Sequence, residues 1–386
     1  MIRFLLILLI VRHGIGTRND EEKKLNLLVR GWAPLVWLAP GERFMPLGVP
    51  EFLEHVQAGD NYLRTRLNIE TLLMNESSFL YGKQPDGNVP VYALVKNCLN
   101  LPISTSSSSA TINSFIIDRK RIKHHRAYIP RDENNDINAS IQNNEVATTK
   151  VKANHGEMTL ISDENTFRKL HFHVTYWMFY PFSEGKAVCV LDLGFLGTWP
   201  IPSVGGICLG KLKGYGNHVG DWEHMSLYFK GDDYPVAMYV SAHDAGAYYR
   251  YDIRSGTFVY ESQETRKGIF QKPIFPERVF TSSGSHPVLF SAKGSHGLWT
   301  APGKHKFVRL PRLYDESGFG TPWPTWRRLE LLNSDNEQFT PAWMTFRGKW
   351  GNPRSNCHPL VRLGFNICEF VDGPTGIPMK NGRFQC

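Results

Sequence analysis

The sequence has almost none of the long Ala/Leu/Glu/Lys stretches that build helix bundles. Beyond its N-terminal segment it also has no run of about 18 consecutive apolar residues. The first absence argues against a helical fold, and the second excludes a bundle of membrane-spanning helices. There is no Cys-x-x-Cys pair, which removes the usual thiolate zinc site. No Gly-x-Ser-x-Gly, Gly-Lys-Ser/Thr or dinucleotide-binding glycine motif follows a strand-like segment, so common hydrolase, nucleotide and dinucleotide chemistry has no support. No internal repeat is present. Charge of one sign is not concentrated either. The net charge of +8 comes from 44 Lys and Arg against 36 Asp and Glu, scattered rather than banded, so no nucleic-acid partner is expected.

What is present favours strands. Aromatic residues make up 12% of the chain, beside 34 Gly and 24 Pro, a composition of short strands and turns. With 41% apolar residues the 386-residue chain can bury a sizeable core, in two to three domains or one large β domain with additions.

The N-terminus sets the expected compartment. Arg3 precedes the apolar run Phe4–Val11, and Gly14-Ile15-Gly16 supplies small residues for cleavage. This is the pattern of a secretory signal over residues 1–16, with a mature chain from Thr17. Six cysteines, an even set, agree with secretion or a secretory-pathway lumen. Cys189–Cys208 and Cys357–Cys368 are the economical local pairs, although spacing alone does not choose the connectivity. Asn75 and Asn138 head Asn-x-Ser/Thr acceptors for glycosylation.

The composition divides the chain into an N-terminal β segment (17–101), a flexible polar insertion rich in Ser, Asn and basic residues (102–160), a β-sandwich core (161–335) and a loop-rich extension with three cysteines (336–386). Strands are expected at Pro34–Ala39, Leu170–Pro181, Ala187–Leu193 and His286–Ala292. A hairpin turning at Gly231-Asp232-Asp233 should join Asp221–Lys230 to Tyr234–His243. The fold class is therefore all-β, as a two-sheet sandwich.

The densest polar group is Gly216-Asn217-His218-Val219-Gly220-Asp221-Trp222-Glu223-His224. On a strand, Asp221 and Glu223 share a face that Met225, Leu227 and Phe229 continue into a core, with Trp222 and Tyr228 opposite. Two carboxylates at the mouth of an apolar layer favour a cation, and His218 in a glycine-bounded turn can fold over the same point. His243 lies as far after the hairpin turn as Asp221 lies before it, so it should return near Asp221. Gly294-Ser295-His296-Gly297 and Pro302–His305 are further candidates for the same mouth.

These residues carry a resemblance. His218-x-x-Asp221-Trp222-Glu223 resembles the Gly-His-Arg-His-Asp-Trp-Glu heptapeptide of the necrosis- and ethylene-inducing-peptide-like toxins. Tyr176–Pro181 resembles their aromatic strand ending in Phe-Pro-Lys-Asp, and Val240-Ser241-Ala242-His243 their Val-Ser-Ala-His strand. The vacuolar-protein-sorting-associated family of eukaryotes is more similar still. Its Tyr-Pro-Tyr-Asn-x-Gly, Gly-Asp-Trp-Glu-His and Gly-Ser-His-Gly-x-Trp-x-x-Pro-Gly-x-His motifs correspond to Tyr180–Gly185, Gly220–His224 and Gly294–His305.

The toxin resemblance implies an actinoporin-like sandwich that binds a divalent cation (Ca²⁺ or Mg²⁺) through His218, Asp221 and Glu223. Ser183, His243, His224 and His296 would then stand around the ligands. The toxins' further aspartate falls at Ser183, a departure that takes one carboxylate from the site. A membrane lipid headgroup or a glycan is the expected partner, and the oligomeric state stays open. Two alternatives remain: a metal-assisted hydrolase with Glu223 or His243 as base, and a trafficking or structural module.

Overall fold

The computed structural model describes residues 20–98, 169–194, 197–201, 207–265, 273–308, 313–333, 340–359, 368–380, 384 and 386. The signal segment, Asn138 and the polar insertion lie outside the described residues. The fold is all-β. Its centre is an eight-stranded sheet in the order Arg278–Val279, Thr257–Thr265, Ala245–Asp252, Pro235–Ala242, His218–Lys230, His171–Ser183, Val91–Asn97 and Leu329–Asn333. Neighbours are antiparallel except the last pair. A five-stranded sheet is built on Leu35–Leu38, which pairs in parallel with His286–Ser291 and antiparallel with Thr321–Pro324.

These two sheets share one apolar core. Val36, Leu38, Leu289, Trp299 and Trp323 from the smaller sheet pack with Tyr176, Met178, Met225, Leu227 and Val240 from the larger. A helix over residues 20–31 closes the core. Its Leu25, Leu28 and Val29, with Trp32 just past its end, recur at helical spacing and face inward, and the Tyr176 hydroxyl donates to the Val29 carbonyl at 2.7 Å. Two further short helices stand in the segment before residue 101: Val49–Glu54, with a proline in its first turn as the sequence around Pro50–Val56 suggests, and Ile69–Met74.

The other face of the large sheet is covered as well. Trp177, Phe179, Val219 and Trp222 bury against Phe52, Leu72, Met344, Trp350 and Phe370. Trp222 lies 4.8 Å from Phe179 and 5.2 Å from Trp350, ring centre to ring centre. The two central strands are buried on both faces along almost their whole length, which requires a layer on each side. The segment from 340 onward therefore supplies a wall of a core rather than an appendage.

Three disulfides close the chain: Cys189–Cys208, Cys357–Cys368 and Cys98–Cys386. The first two are the local pairs expected from spacing. The third joins positions 288 residues apart, a link that no local pattern encodes. With all six cysteines paired, thiol titration of the denatured, unreduced chain is expected to find none free. Asn75 is exposed at the end of the Ile69–Met74 helix, where its side chain accepts from the Ser77 backbone N–H at 3.1 Å.

Candidate polar cavity at the Asp-Trp-Glu strand

The strand His218–Lys230 pairs with His171–Ser183 so that Tyr180 faces Asp221, Phe179 faces Trp222 and Met178 faces Glu223. Asp221, Glu223, Met225, Leu227 and Phe229 then share one face by alternation, and Trp222 and Tyr228 take the other. His218 begins this strand instead of sitting in a turn before it. Three residues apart, His218 and Asp221 would point to opposite faces of a regular strand. Gly220, at φ +69°, breaks the alternation, so Val219 joins Trp222 in the second core and His218 joins Asp221 at the cavity.

That cavity has a volume of about 520 Å³, and its wall includes Lys186, Tyr215, His218, Asp221, Glu223 and His243. Asp221 and Glu223 are both buried. Behind Asp221 stands His296, fully buried and stacked on Tyr180 at 3.9 Å. Its Nδ1 lies 3.1 Å from Asp221 Oδ2 and its Nε2 lies 3.0 Å from the Phe44 carbonyl. Both neighbours are hydrogen-bond acceptors, so the two ring nitrogens are each held in place. Glu42 adds a carboxylate 4.0 Å from Nε2, itself held by the backbone N–H groups of Arg43, Phe44 and Gly294.

Burial alone would push the Asp221 carboxyl up. The His296 hydrogen bond and the charge of His218, His296 and Lys380 outweigh it and hold Asp221 below the ordinary carboxylate range. Burial draws His218 down, only partly offset by Asp221. The His218 Nδ1–H donates to the Gly220 carbonyl at 2.8 Å, which fixes the ring.

A second network lies across the cavity. Asp315, fully buried, accepts from Lys186 Nζ at 2.9 Å, His243 Nε2 at 2.6 Å, Ser295 Oγ at 2.7 Å and Trp299 Nε1 at 3.0 Å. Burial pushes Asp315 up, but His243 and Lys186 overcome it and keep the group ionised. Burial pulls His243 down, but Asp315 outweighs it and raises its proton affinity. His243 stacks on Phe307 at 4.1 Å. Both His243 (φ +54°) and His296 (φ +58°) hold left-handed backbone conformations that only five non-glycine residues among those described adopt.

The structure thus brings His218, Asp221, Glu223, Ser183 and His243 to one cavity and places His296 directly behind Asp221. It does not bring His224 there. That ring lies on the opposite face, 4.4 Å from Trp177, because alternation puts it beside Trp222 rather than Glu223. His305 stacks on Trp299 and faces the Ala301 carbonyl, away from the cavity wall. Asp315 and Lys186 were not legible as site residues, since neither stands in a motif.

The divalent cation implied by the toxin resemblance does not fit these residues. Asp221 Oδ2 is taken by the His296 N–H, and His296 and Lys380 supply the positive charge an ion would bring. Ser183, in place of the toxins' aspartate, directs its hydroxyl to the Gly294 carbonyl at 3.4 Å. Among the described residues no group of three or more His, Cys, Asp or Glu side chains is arranged to hold a metal ion.

The chain is similar to two proteins of Saccharomyces cerevisiae. It is 25% identical over 232 residues to vacuolar protein sorting-associated protein 62, a match covering 53% of this chain and 40% of the yeast protein. It is 27% identical over 217 residues to the putative vacuolar protein sorting-associated protein TDA6, covering 52% of this chain and 40% of that protein. The chain therefore spans well under half the length of these relatives. No family profile matches it, and no solved structure does. The two matches support the resemblance to the vacuolar-protein-sorting-associated family and leave the toxin likeness resting on the motifs alone.

Proposed function

We propose that the chain is a binding module with a vacuolar-sorting-related role in the secretory pathway, and that its cavity takes a glycan or polar lipid headgroup by direct hydrogen bonds rather than through a metal ion. The observation that carries this reading is the cavity lining. Carboxylates of Asp221 and Glu223, donors from Lys186 and His243, and the aromatic residues Tyr215 and Phe307 surround a volume in the small-ligand range. Polyhydroxylated ligands need closely spaced donors and acceptors together with an apolar face to lie on.

The hydrolase alternative finds less support. His243 Nε2 is committed to Asp315 at 2.6 Å, and Asp315 raises the proton affinity of the ring, so this imidazole is held as a donor to Asp315 rather than left open as a base toward the cavity.

Calorimetry of the mature chain against soluble glycans and lipid headgroups tests the reading. Binding is expected to be unchanged by EDTA. Glu223→Gln and His218→Ala should each weaken it about tenfold, the loss of one hydrogen bond to a charged or buried group. Binding that requires Ca²⁺ or Mg²⁺, or variants that bind like wild type, would sink it.

A further inference from the structure

The small sheet of Lys186–Asp192, Thr198–Pro200 and Lys211–Tyr215 contributes no side chain to either core. Its register sets Leu191 opposite Trp199 and Cys189 opposite Leu212. Directly opposed residues share a sheet face, so Ala187, Cys189, Leu191, Trp199 and Leu212 form one face, with no charge on it. The opposite face carries Lys186, Val188 and Tyr215, which wall the polar cavity. Leu212 is 68% exposed, and Ile207 and Leu209, on either side of the bridged Cys208, are 67% and 72% exposed. Among the described residues, six of fourteen exposed large apolar side chains fall between 191 and 212, so this is a patch rather than the usual scatter.

We propose that this apolar face docks on an anionic lipid bilayer. The chemistry of the patch selects that occupant. Leucine and isoleucine suit the acyl boundary, and Trp199, with one edge against His358 and the rest half-exposed, suits the interface where an amphipathic ring sits. On the sheet's other face Lys186 pairs with Asp315 and Lys213 with Glu369, Lys211 adds a further positive charge, and the chain as a whole has a net charge of +8, complementary to anionic headgroups. The Cys189–Cys208 bridge holds the small sheet together away from the cores, as a docking element must be. One face meets the acyl boundary while the other walls the cavity, which sets the cavity beside the headgroup layer. The orientation rests on the reading of the cavity as a headgroup site; the docking itself does not.

Vesicle flotation with the mature chain tests the proposal, using phosphatidylcholine vesicles and an equal mixture with phosphatidylserine. The chain should float with the anionic vesicles. The double variant Leu209→Ser/Leu212→Ser, whose side chains are exposed, should melt like wild type and lose at least about tenfold in vesicle affinity. Glu223→Gln should lose soluble headgroup binding yet still float through the apolar face, with vesicle affinity reduced by no more than that one contact, so a failed cavity reading and a failed docking surface give different results. Wild-type protein that does not float with anionic vesicles, or a double variant that floats equally well, overturns the proposal. So does a concentration-dependent dimer that the double variant abolishes without any vesicle binding, which would make the face an interface between copies.

Discussion

Asp315→Ala is expected to destabilise the folded chain by about 3–5 kcal/mol, the range for breaking a buried, hydrogen-bonded charge cluster by removing one partner. The carboxylate accepts from four donors and is fully buried, so its loss leaves the Ser295 hydroxyl and the Trp299 indole N–H without their acceptor inside the protein. Lys186 and His243 keep about a fifth to a quarter of their side-chain surface in solvent and recover part of their hydration. Asp315→Asn preserves the shape but turns an amide NH₂ toward the same donors, so it should recover little. Urea denaturation of the two variants measures both costs, and an alanine variant within about 1 kcal/mol of wild type would refute the network's role.

The pH dependence of that gap follows from the directions of the two shifts. His243 is raised in the folded state, so its contribution is complete below the unfolded histidine value, about 6.5, and is lost as pH rises through the higher folded value. Asp315 is lowered, so its contribution is complete above the unfolded carboxylate value, about 3.9, and is lost only as pH falls through the folded value in strong acid. The difference between wild type and Asp315→Asn should therefore be widest between about pH 4 and 6.5 and narrow on the alkaline side. Taking the difference also removes the opposite trend of His218, whose lowered proton affinity costs stability as pH falls below the ordinary histidine range.

How much of this site the sequence reveals depends on how local each contact is. Asp221, Glu223 and His243 belong to one hairpin, and counting from its turn suffices to bring His243 back to the Asp221 end. Asp315 stands on Leu313–Ser317, in a separate hairpin with Gly303–Val308, and nothing in its own neighbours distinguishes it from a surface aspartate. The second core was half legible. The aromatic run Tyr176–Phe179 is apolar at every position, which demands a layer on each face, but the residues that supply the second layer, Trp343, Trp350 and Phe370, sit in Gly- and Pro-rich sequence that reads as loop. The helix over 20–31 carried its signal in the spacing of Leu25, Leu28, Val29 and Trp32, behind an acidic first turn of Asp20, Glu21 and Glu22. In a chain so rich in strand-forming residues, that single amphipathic stretch is easily outweighed.

Gly220→Ala should be the other severe substitution, because two separate requirements meet at that position. Its φ of +69° costs a side-chain-bearing residue about 1–2 kcal/mol. A Cβ there would also meet the Trp350 carbonyl oxygen at 2.1 Å, a contact that one backbone or the other must move to relieve. The crossing is tight from both sides. A Cβ at Gly351 would meet the Val219 carbonyl oxygen at 2.2 Å, and one at Gly373 the Trp350 carbonyl oxygen at 2.3 Å. Gly216 separates the two effects, since its φ is +86° but nothing lies within 4 Å of its would-be Cβ. Gly216→Ala should cost about 1–2 kcal/mol, the backbone term alone. Gly220→Ala should cost about 3 kcal/mol or more, once overpacking is added. The same substitution should weaken ligand binding in whatever fraction still folds, because the left-handed residue is what turns His218 to the side of Asp221. Thermal melts of the two alanine variants decide the matter. If they lose the same stability, the close approach of Trp350 does not constrain the strand, and the cavity owes its shape to something other than this glycine.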